Sequence, residues 1–392
     1  MKTERLPLPT NYAVAYAAKS CDVDVVAAYP ITPQSDIVER IAQFIADGEL
    51  NAEYIPVESE HSALSACIGA SAAGARAFTA TCSQGLALMH ECLFIASGCR
   101  LPIVMCVSCR TLSTPINIHT DYQDSMSSRD CGWVQIYVSS AQEGYDSVIQ
   151  GYKLAELDEI LIPVMVCYDG YVLSHTYEPV IVHSDEDVLA FAPKNVKRVL
   201  NPDEPVTLGV FCLPNYEYEF KYQLIDALSK VPNTLKIVDK EFGEYFGRSY
   251  GLYECYRMDD AEYVLATMGA VASTARVAID ELRQEGLKVG LFRPRLFRPC
   301  PSDEWRDILS KFELVTVIDR SISFGSVAGP LLFEILGVFM NERERPMFTN
   351  FIAGIGGRDV TVNDIKSMFR RSLEAYREKR SVRSCEYYGV RW

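Results

Sequence analysis

The chain has 392 residues, 48% apolar and 23% charged, with a net charge of −14. That length and composition suit two or three well-packed globular domains, and the acidic balance argues against nucleic acid or an anionic membrane surface as a partner. No apolar run approaches the roughly 20 residues that span a bilayer, and the opening MKTERLPLPT has no apolar signal core, so a cytoplasmic protein is expected.

Strands and helices alternate through the first half. Residues 24–30 (DVVAAYP) read as an apolar strand closed by proline, and residues 35–48 have helical spacing, with Ile37, Ile41, Phe44 and Ile45 on one face. AEYIPV, RAFTATC and LPIVMCVS are further strands; VESEHSALSACIGASAAGA (residues 57–75) and GLALMHECLFIASG are helices between them. The helix EGYDSVIQGYKLAEL precedes the strand PVMVCYDG (residues 163–170). Near-continuous apolar strands between amphipathic helices indicate a parallel sheet covered on both faces.

Residues 174–205 are polar and read as linker on the surface. The pattern restarts with VTLGVFC as a strand, a helix over residues 216–231, and TLKIVD as the next strand. YVLATMG, the helix ASTARVAIDELRQEG, KVGLFRP and LVTVID follow. The tail holds the strand-like FTNFIAG, then GGRDV, a helix over residues 361–379, and a basic, aromatic arm that reads as a docking segment for another subunit. The fold class is therefore α/β with two doubly wound parallel-sheet domains. The expected divisions are 1–190 for the first domain, 191–204 for the linker, 205–345 for the second domain and 346–392 for the final strand, helix and arm.

Thirteen cysteines fall mostly in apolar stretches. Without an export signal these read as small buried hydrophobes. Cys106 and Cys109 form one C-x-x-C, which cannot supply the four thiolates of a ferredoxin-type cluster, so no metal site is expected in this chain.

Four segments just past strand ends carry groups suited to chemistry, because ligands of open parallel sheets gather at the strands' carboxyl ends. YPITPQS holds Thr32 between two prolines, a stiff loop that aims a hydroxyl; it also reads simply as a rigid turn capped by Ser35. SEHSA puts Glu60 in the first turn of a helix, where a carboxylate favours the helix dipole with Ser59 as cap. TATCSQGLALMHE opens a helix at Gly85 with small polar residues before it, a turn whose N–H groups can hold an anion or a polar ring; it matches neither G-x-G-x-x-G nor a P-loop. SCRTLSTPINIHTDYQDSMSSRDCGW is a long polar loop with Arg110, Asn117, His119, Asp121 and Asp124. An arginine there can grip a small carboxylate through two parallel hydrogen bonds, or it can staple the loop by pairing with Asp121 or Asp124.

YPITPQS, VESEHSA, TATCSQGLALMHE and LSTPINIHTDYQD together resemble the alpha subunit of 2-oxoacid:ferredoxin oxidoreductases, the pyruvate:ferredoxin oxidoreductase family. DCGWVQIY, PVMVCYDGYVLSHTYEPV, GAVASTARVAIDELRQEGLKVGLFRPRLFRPCP, VIDRSISFG and GIGGRDVT extend the resemblance over essentially the whole chain. It implies a thiamine-diphosphate pyrimidine-binding domain followed by a transketolase C-terminal-like domain. It implies oxidative decarboxylation of a 2-oxoacid with CoA to acyl-CoA, CO2 and reduced ferredoxin.

By the same resemblance Glu60 hydrogen-bonds the aminopyrimidine ring and promotes its activation. Thr32 and Arg110 bind the oxoacid's carbonyl and carboxylate. Pro30 and Gln84 border the cofactor, and Asn117, His119 and Asp124 belong to the substrate loop. No G-D-G motif for Mg2+ and diphosphate occurs in the chain, so the phosphates, Mg2+ and iron–sulfur clusters are expected on beta, gamma and delta partner subunits. Pyruvate ranks first among substrates. The family pattern has an aromatic, usually tryptophan, at His119 and commonly asparagine at Cys109; these departures leave room for an aryl oxoacid such as phenylglyoxylate, or for oxalate. Two other readings stay open: a non-catalytic assembly subunit, in which Glu60, Thr32 and Arg110 do not converge, and a decarboxylase or transketolase relative without electron transfer.

Overall fold

The computed structural model describes residues 3–197, 199–380, 382 and 384–391. Of the C-terminal arm, Ser381, Arg383 and Trp392 lie outside the described residues.

The main sheet of the first half has seven strands in the order Leu296–Arg298, Val134–Tyr137, Val164–Asp169, Val104–Cys109, Ala77–Thr81, Val25–Ala28 and Glu53–Pro56. All pairings are parallel except that of Leu296–Arg298 with Val134–Tyr137. Alternate residues of its central strands feed opposite faces. Phe78, Val104 and Cys106 join the core under the helices Thr10–Ser20, Ser35–Ala46 and Ala141–Ala155. Ala77, Met105 and Val107 join a second core under the helices Glu60–Ala72 and His90–Gly98. A small antiparallel pair, Thr3–Leu8 with Glu178–His183, lies outside this sheet.

The second sheet has six strands, in the order Glu386–Tyr387, Met347–Ile352, Leu314–Asp319, Tyr263–Ala266, Val289–Pro294 and Tyr253–Tyr256. One face shares the second core through Val264, Phe292 and Val317; the other is covered by the helices Ala270–Gln284 and Val362–Arg377. The molecule is thus a stack of layers in which the two sheets face a common core.

The middle of the chain differs from expectation. Residues 174–205 are not all linker: they include the strand Glu178–His183 and the helix Asp185–Phe191. Residues 206–212 form no strand, and the expected helix and strand over 216–239 are one helix, Pro214–Phe246, that runs through Pro232. The reason is spacing. Ala227, Val231, Leu235, Val238, Phe242 and Phe246 are buried at intervals of three and four residues, a helical stripe that outweighs the β-like TLKIVD run and the hydrogen bond lost at proline.

That stripe belongs to the first core, against the helix Ala141–Ala155, so packing does not change at residue 205. Leu296–Arg298 likewise crosses back to the first sheet, and Met347–Ile352, assigned to the tail, is an inner strand of the second. The described part of the arm pairs Glu386–Tyr387 with the edge of its own sheet.

Candidate active site

In the first sheet the chain steps outward from Val25–Ala28 to Glu53–Pro56, then crosses back to Ala77–Thr81 on the other side of Val25–Ala28. This reversal opens a crevice beyond the carboxyl ends of the strands. The four candidate segments leave from Ala28, Pro56, Thr81 and Cys109, and so all reach that crevice.

Glu60 is the first residue of the helix Glu60–Ala72. Ser59 caps the helix by accepting a hydrogen bond from the Ser62 N–H at 3.3 Å, and Ser62 donates in turn to Glu58. Capping therefore occupies the neighbours of Glu60 and leaves its carboxylate free. It is 6% exposed, and among the described residues no group donates a hydrogen bond to it. Gly85 lies directly against it: a Cβ there would stand 2.6 Å from Glu60 Oε1 and would also collide with the Thr81 hydroxyl. The buried Thr81 hydroxyl has no partner either. Polar groups buried this way are costly unless something pairs with them.

Arg110 is 5% exposed. Its Nε donates to Asn117 O and its Nη1 to Thr32 O, both at 2.8 Å, and no carboxylate among the described residues pairs with the guanidinium. The staple reading fails because Asp124 has other work. Its Oδ2 accepts from the main-chain N–H groups of Ser83 (2.8 Å) and Arg110 (2.9 Å), and its Oδ1 from Ser125 N–H (2.7 Å). Burial pushes the Asp124 carboxyl up to about 7, against the lowering effect of those three donors. The turn before Gly85 thus has its Ser83 N–H taken by Asp124, not free for an anion. One carboxyl group bolts the Gly85 turn to the Arg110 strand end, and Arg110 bolts both to Thr32.

The remaining candidates rim this core. Pro30 and Thr32 are exposed at the loop, and the Thr32 carbonyl also accepts from the Cys82 thiol at 3.2 Å, which burial pushes up so that it stays a neutral donor. Gln84 accepts from Ser83 Oγ at 2.6 Å and donates to Ser113 across the cleft. Asn117 donates to Gly356 O at 2.8 Å and accepts from His119 N–H at 2.9 Å. The exposed His119 ring lies tilted against Tyr171 at 5.0 Å, and Tyr171 stacks on His175 at 4.7 Å. Cys109, the other departure, is buried in the core with its thiol on Ser125 Oγ at 3.4 Å, so that change is one of packing.

Sequence reasoning named GIGGRDVT but gave it no role. Gly357 N–H donates to Thr120 O at 2.7 Å, and side chains at 356 or 357 would run into Asn117 or His119; these glycines clamp the Arg110 loop from the second sheet. Gly269 is a packing position: a Cβ would collide with the Tyr122 hydroxyl, and the next N–H donates to Asp169 at 2.8 Å. Thr81 was missed because a strand-end threonine carries no pattern of its own.

Family models match this arrangement over most of its length. One described as pyruvate flavodoxin/ferredoxin oxidoreductase, thiamine diphosphate-binding, covers residues 16–240, and pyruvate:ferredoxin oxidoreductase core domain II covers 261–365. Pyruvate synthase subunit PorA of Methanocaldococcus jannaschii is 51% identical over 93% of both chains. Ketoisovalerate oxidoreductase subunit VorA of Pyrococcus horikoshii is 44% identical over 97% of both. The fold is also that of a solved 2-oxoglutarate:ferredoxin oxidoreductase from Magnetococcus marinus (TM-score 0.74, 18% identity), which matches 95% of this chain while the chain spans 65% of that one. With one family model spanning more than half of the sequence and relatives of this identity along nearly all of it, the chain belongs to the pyruvate:ferredoxin oxidoreductase family of 2-oxoacid oxidoreductase subunits.

Proposed function

We propose that this chain is the alpha subunit of a cytoplasmic thiamine-diphosphate-dependent enzyme that converts pyruvate, CoA and two oxidised ferredoxins to acetyl-CoA, CO2, a proton and two reduced ferredoxins. One observation carries the reading: a buried acid, Glu60, and a buried cation, Arg110, both without ionic partners among the described residues, lie around one crevice at the strand-order reversal. A structural role would have paired them.

The residues present fit thiamine diphosphate. The free Glu60 carboxylate is a hydrogen-bond acceptor for a protonated ring nitrogen, and side-chain-free Gly85 leaves room for that carboxylate beside it. Bound thiamine diphosphate supplies the nucleophilic carbon that adds to the keto group and takes up the electron pair released with CO2. Glu60 holds a proton at the ring nitrogen and fixes the tautomer that makes that carbon acidic. Arg110, anchored by Thr32 O and Asn117 O, keeps guanidinium donors for the oxoacid's carboxylate, and the Thr32 hydroxyl is assigned to the carbonyl. The Mg2+, the diphosphate and the iron–sulfur clusters are assigned to beta, gamma and delta partner chains.

Pyruvate is the first choice because two pyruvate synthase subunits are 51% and 50% identical to this chain; a branched oxoacid is the second, favoured by the ketoisovalerate relative at 44%. The test is purification of the native complex and assay of ferredoxin reduction with a panel of oxoacids, phenylglyoxylate and oxalate included. Pyruvate should give the highest kcat/KM, with CoA consumed and two ferredoxins reduced per CO2. If no oxoacid drives ferredoxin reduction, or Glu60→Gln keeps full turnover, the reading is wrong.

A further inference from the structure

The first turns of the helix Pro214–Phe246 project from the body. Residues 213–223 are all exposed, and the helix meets the core only from Leu224, whose side chain lies against Gly132. This arm is not polar. Tyr216, Tyr218, Phe220 and Tyr222 alternate with Glu217, Glu219 and Lys221. On a helix that alternation puts aromatics on two opposite sides. Tyr216 and Phe220 prolong the stripe of Ala227, Val231 and Leu235, whereas Tyr218 and Tyr222 face the other way. Tyr218 is 76% exposed, and Phe211, in the irregular segment leading into the arm, is 93% exposed. Aromatic side chains in such density on a surface mark an interface, and a helix apolar on opposite sides is suited to being enclosed, not laid on a flat surface.

The bed beside the arm leads to the crevice. The helix Ser83–Leu88 starts at the Gly85 wall of Glu60, and it and the helix His90–Gly98 expose Leu88, Phe94 and Ile95. Phe94 and Trp133 then line, with Leu224, Ile225 and Leu228 of the arm's root, a cavity of about 370 Å³. An apolar track therefore runs from the unfinished half-site to the arm.

We infer that the Pro214–Ile225 arm is an insertion element that the partner subunit carrying the diphosphate and Mg2+ encloses on both faces, with Leu88, Phe94, Ile95 and the root cavity as the bed of the same interface. The occupant follows from continuity: the chain that completes the Glu60 crevice must cover the helices that start there, and those helices end at the arm. The inference rests on the functional reading above for the identity of that partner.

The test uses the native complex and a variant complex with Tyr218→Glu, Phe220→Glu and Tyr222→Glu, alongside the milder Tyr218→Ala. Partner retention is measured by mass photometry, and neighbours of Lys221 are mapped by cross-linking. The triple variant should keep the wild-type thermal midpoint, because none of its side chains is buried in this chain, and should bind the partner at least about tenfold more weakly; Tyr218→Ala should weaken it in the same direction. Lys221 should cross-link to the thiamine-binding partner. Normal assembly of the triple variant, or cross-links from Lys221 only to a second copy of this chain, would overturn the inference. Ferredoxin reduction by the wild-type complex separates the two claims: if it is absent the functional reading falls, while the partner-retention result still judges the arm.

Discussion

The seam between the two sheets and the crevice of the first sheet bury charge in opposite ways. At the seam, two buried acids are each answered by a cation. Asp169 pairs with Arg320 and accepts from the Tyr122 hydroxyl at 2.5 Å and Ala270 N–H at 2.8 Å. Glu143 faces Arg293 at 3.1 Å and Arg295 at 3.2 Å. In the crevice, Glu60 and Arg110 are also buried and, among the described residues, have no ionic partner. Paired charges hold the sheets together; unpaired ones are maintained against their desolvation cost and mark a candidate ligand site.

The sharpest way to break this contrast is to damage both regions and compare what is lost. Asp169→Ala leaves Arg320 buried without its acid and should destabilise the chain by about 3–5 kcal/mol, read from urea unfolding. A loss below about 1 kcal/mol would place the pair with surface ion pairs and remove the seam from the comparison. Glu60→Gln should do the reverse. Turnover of the native complex should fall at least about 100-fold, the scale of a lost acid–base group, while the thermal midpoint stays or rises because an uncompensated buried charge has gone. A destabilised Glu60→Gln would mean the carboxylate is structural after all.

Arg110→Lys sharpens the chemistry. A lysine keeps the charge but cannot bond Thr32 O and Asn117 O and still present a planar pair of donors. KM for the oxoacid should rise and kcat/KM fall more than about tenfold, matching a charged hydrogen bond of about 1.5–3 kcal/mol. An unchanged kcat/KM would remove Arg110 from the carboxylate grip.

Legibility in the sequence followed the same divide. The strands of the first sheet were readable because strands covered on both faces are apolar throughout, as VVAA and VMCVSC are. The middle misled because its cues are ambiguous locally: TLKIVD has strand composition, yet Leu235 and Val238 belong to a stripe set by Val231 and Phe242, and only the surface it packs against decides. Thr3–Leu8 and Glu178–His183 pair across the whole first half, a contact that no local pattern announces. At the crevice, the loops bearing Glu60, Thr32 and Arg110 were found from their places after strands. Their mutual geometry was not, since the bolts are main-chain groups: Thr32 O, Asn117 O and the N–H of Ser83. Gly356 and Gly357 were visible as a motif but their use depends on the distant Asn117 and His119.

Asp124 stands between the two regions and gives the smallest effect. It is buried like the seam acids but is answered only by N–H dipoles, with no cation on it among the described residues, and burial raises its carboxyl from the ordinary range to about 7. The unfolded chain releases this proton near pH 4, the folded chain only near 7, so between those values the native state binds the extra proton. Stability from this group is then full below about pH 4 and is lost as pH rises through 7. Asp124→Asn cannot titrate, so the difference in unfolding free energy between wild type and variant should shrink steadily from pH 4.5 to 7.5, measured by urea unfolding at each pH. A difference independent of pH would mean that Asp124 is ionised throughout, its three N–H donors outweighing burial. In that case it would belong with the seam acids, and the crevice would hold only two anomalous charges, Glu60 and Arg110.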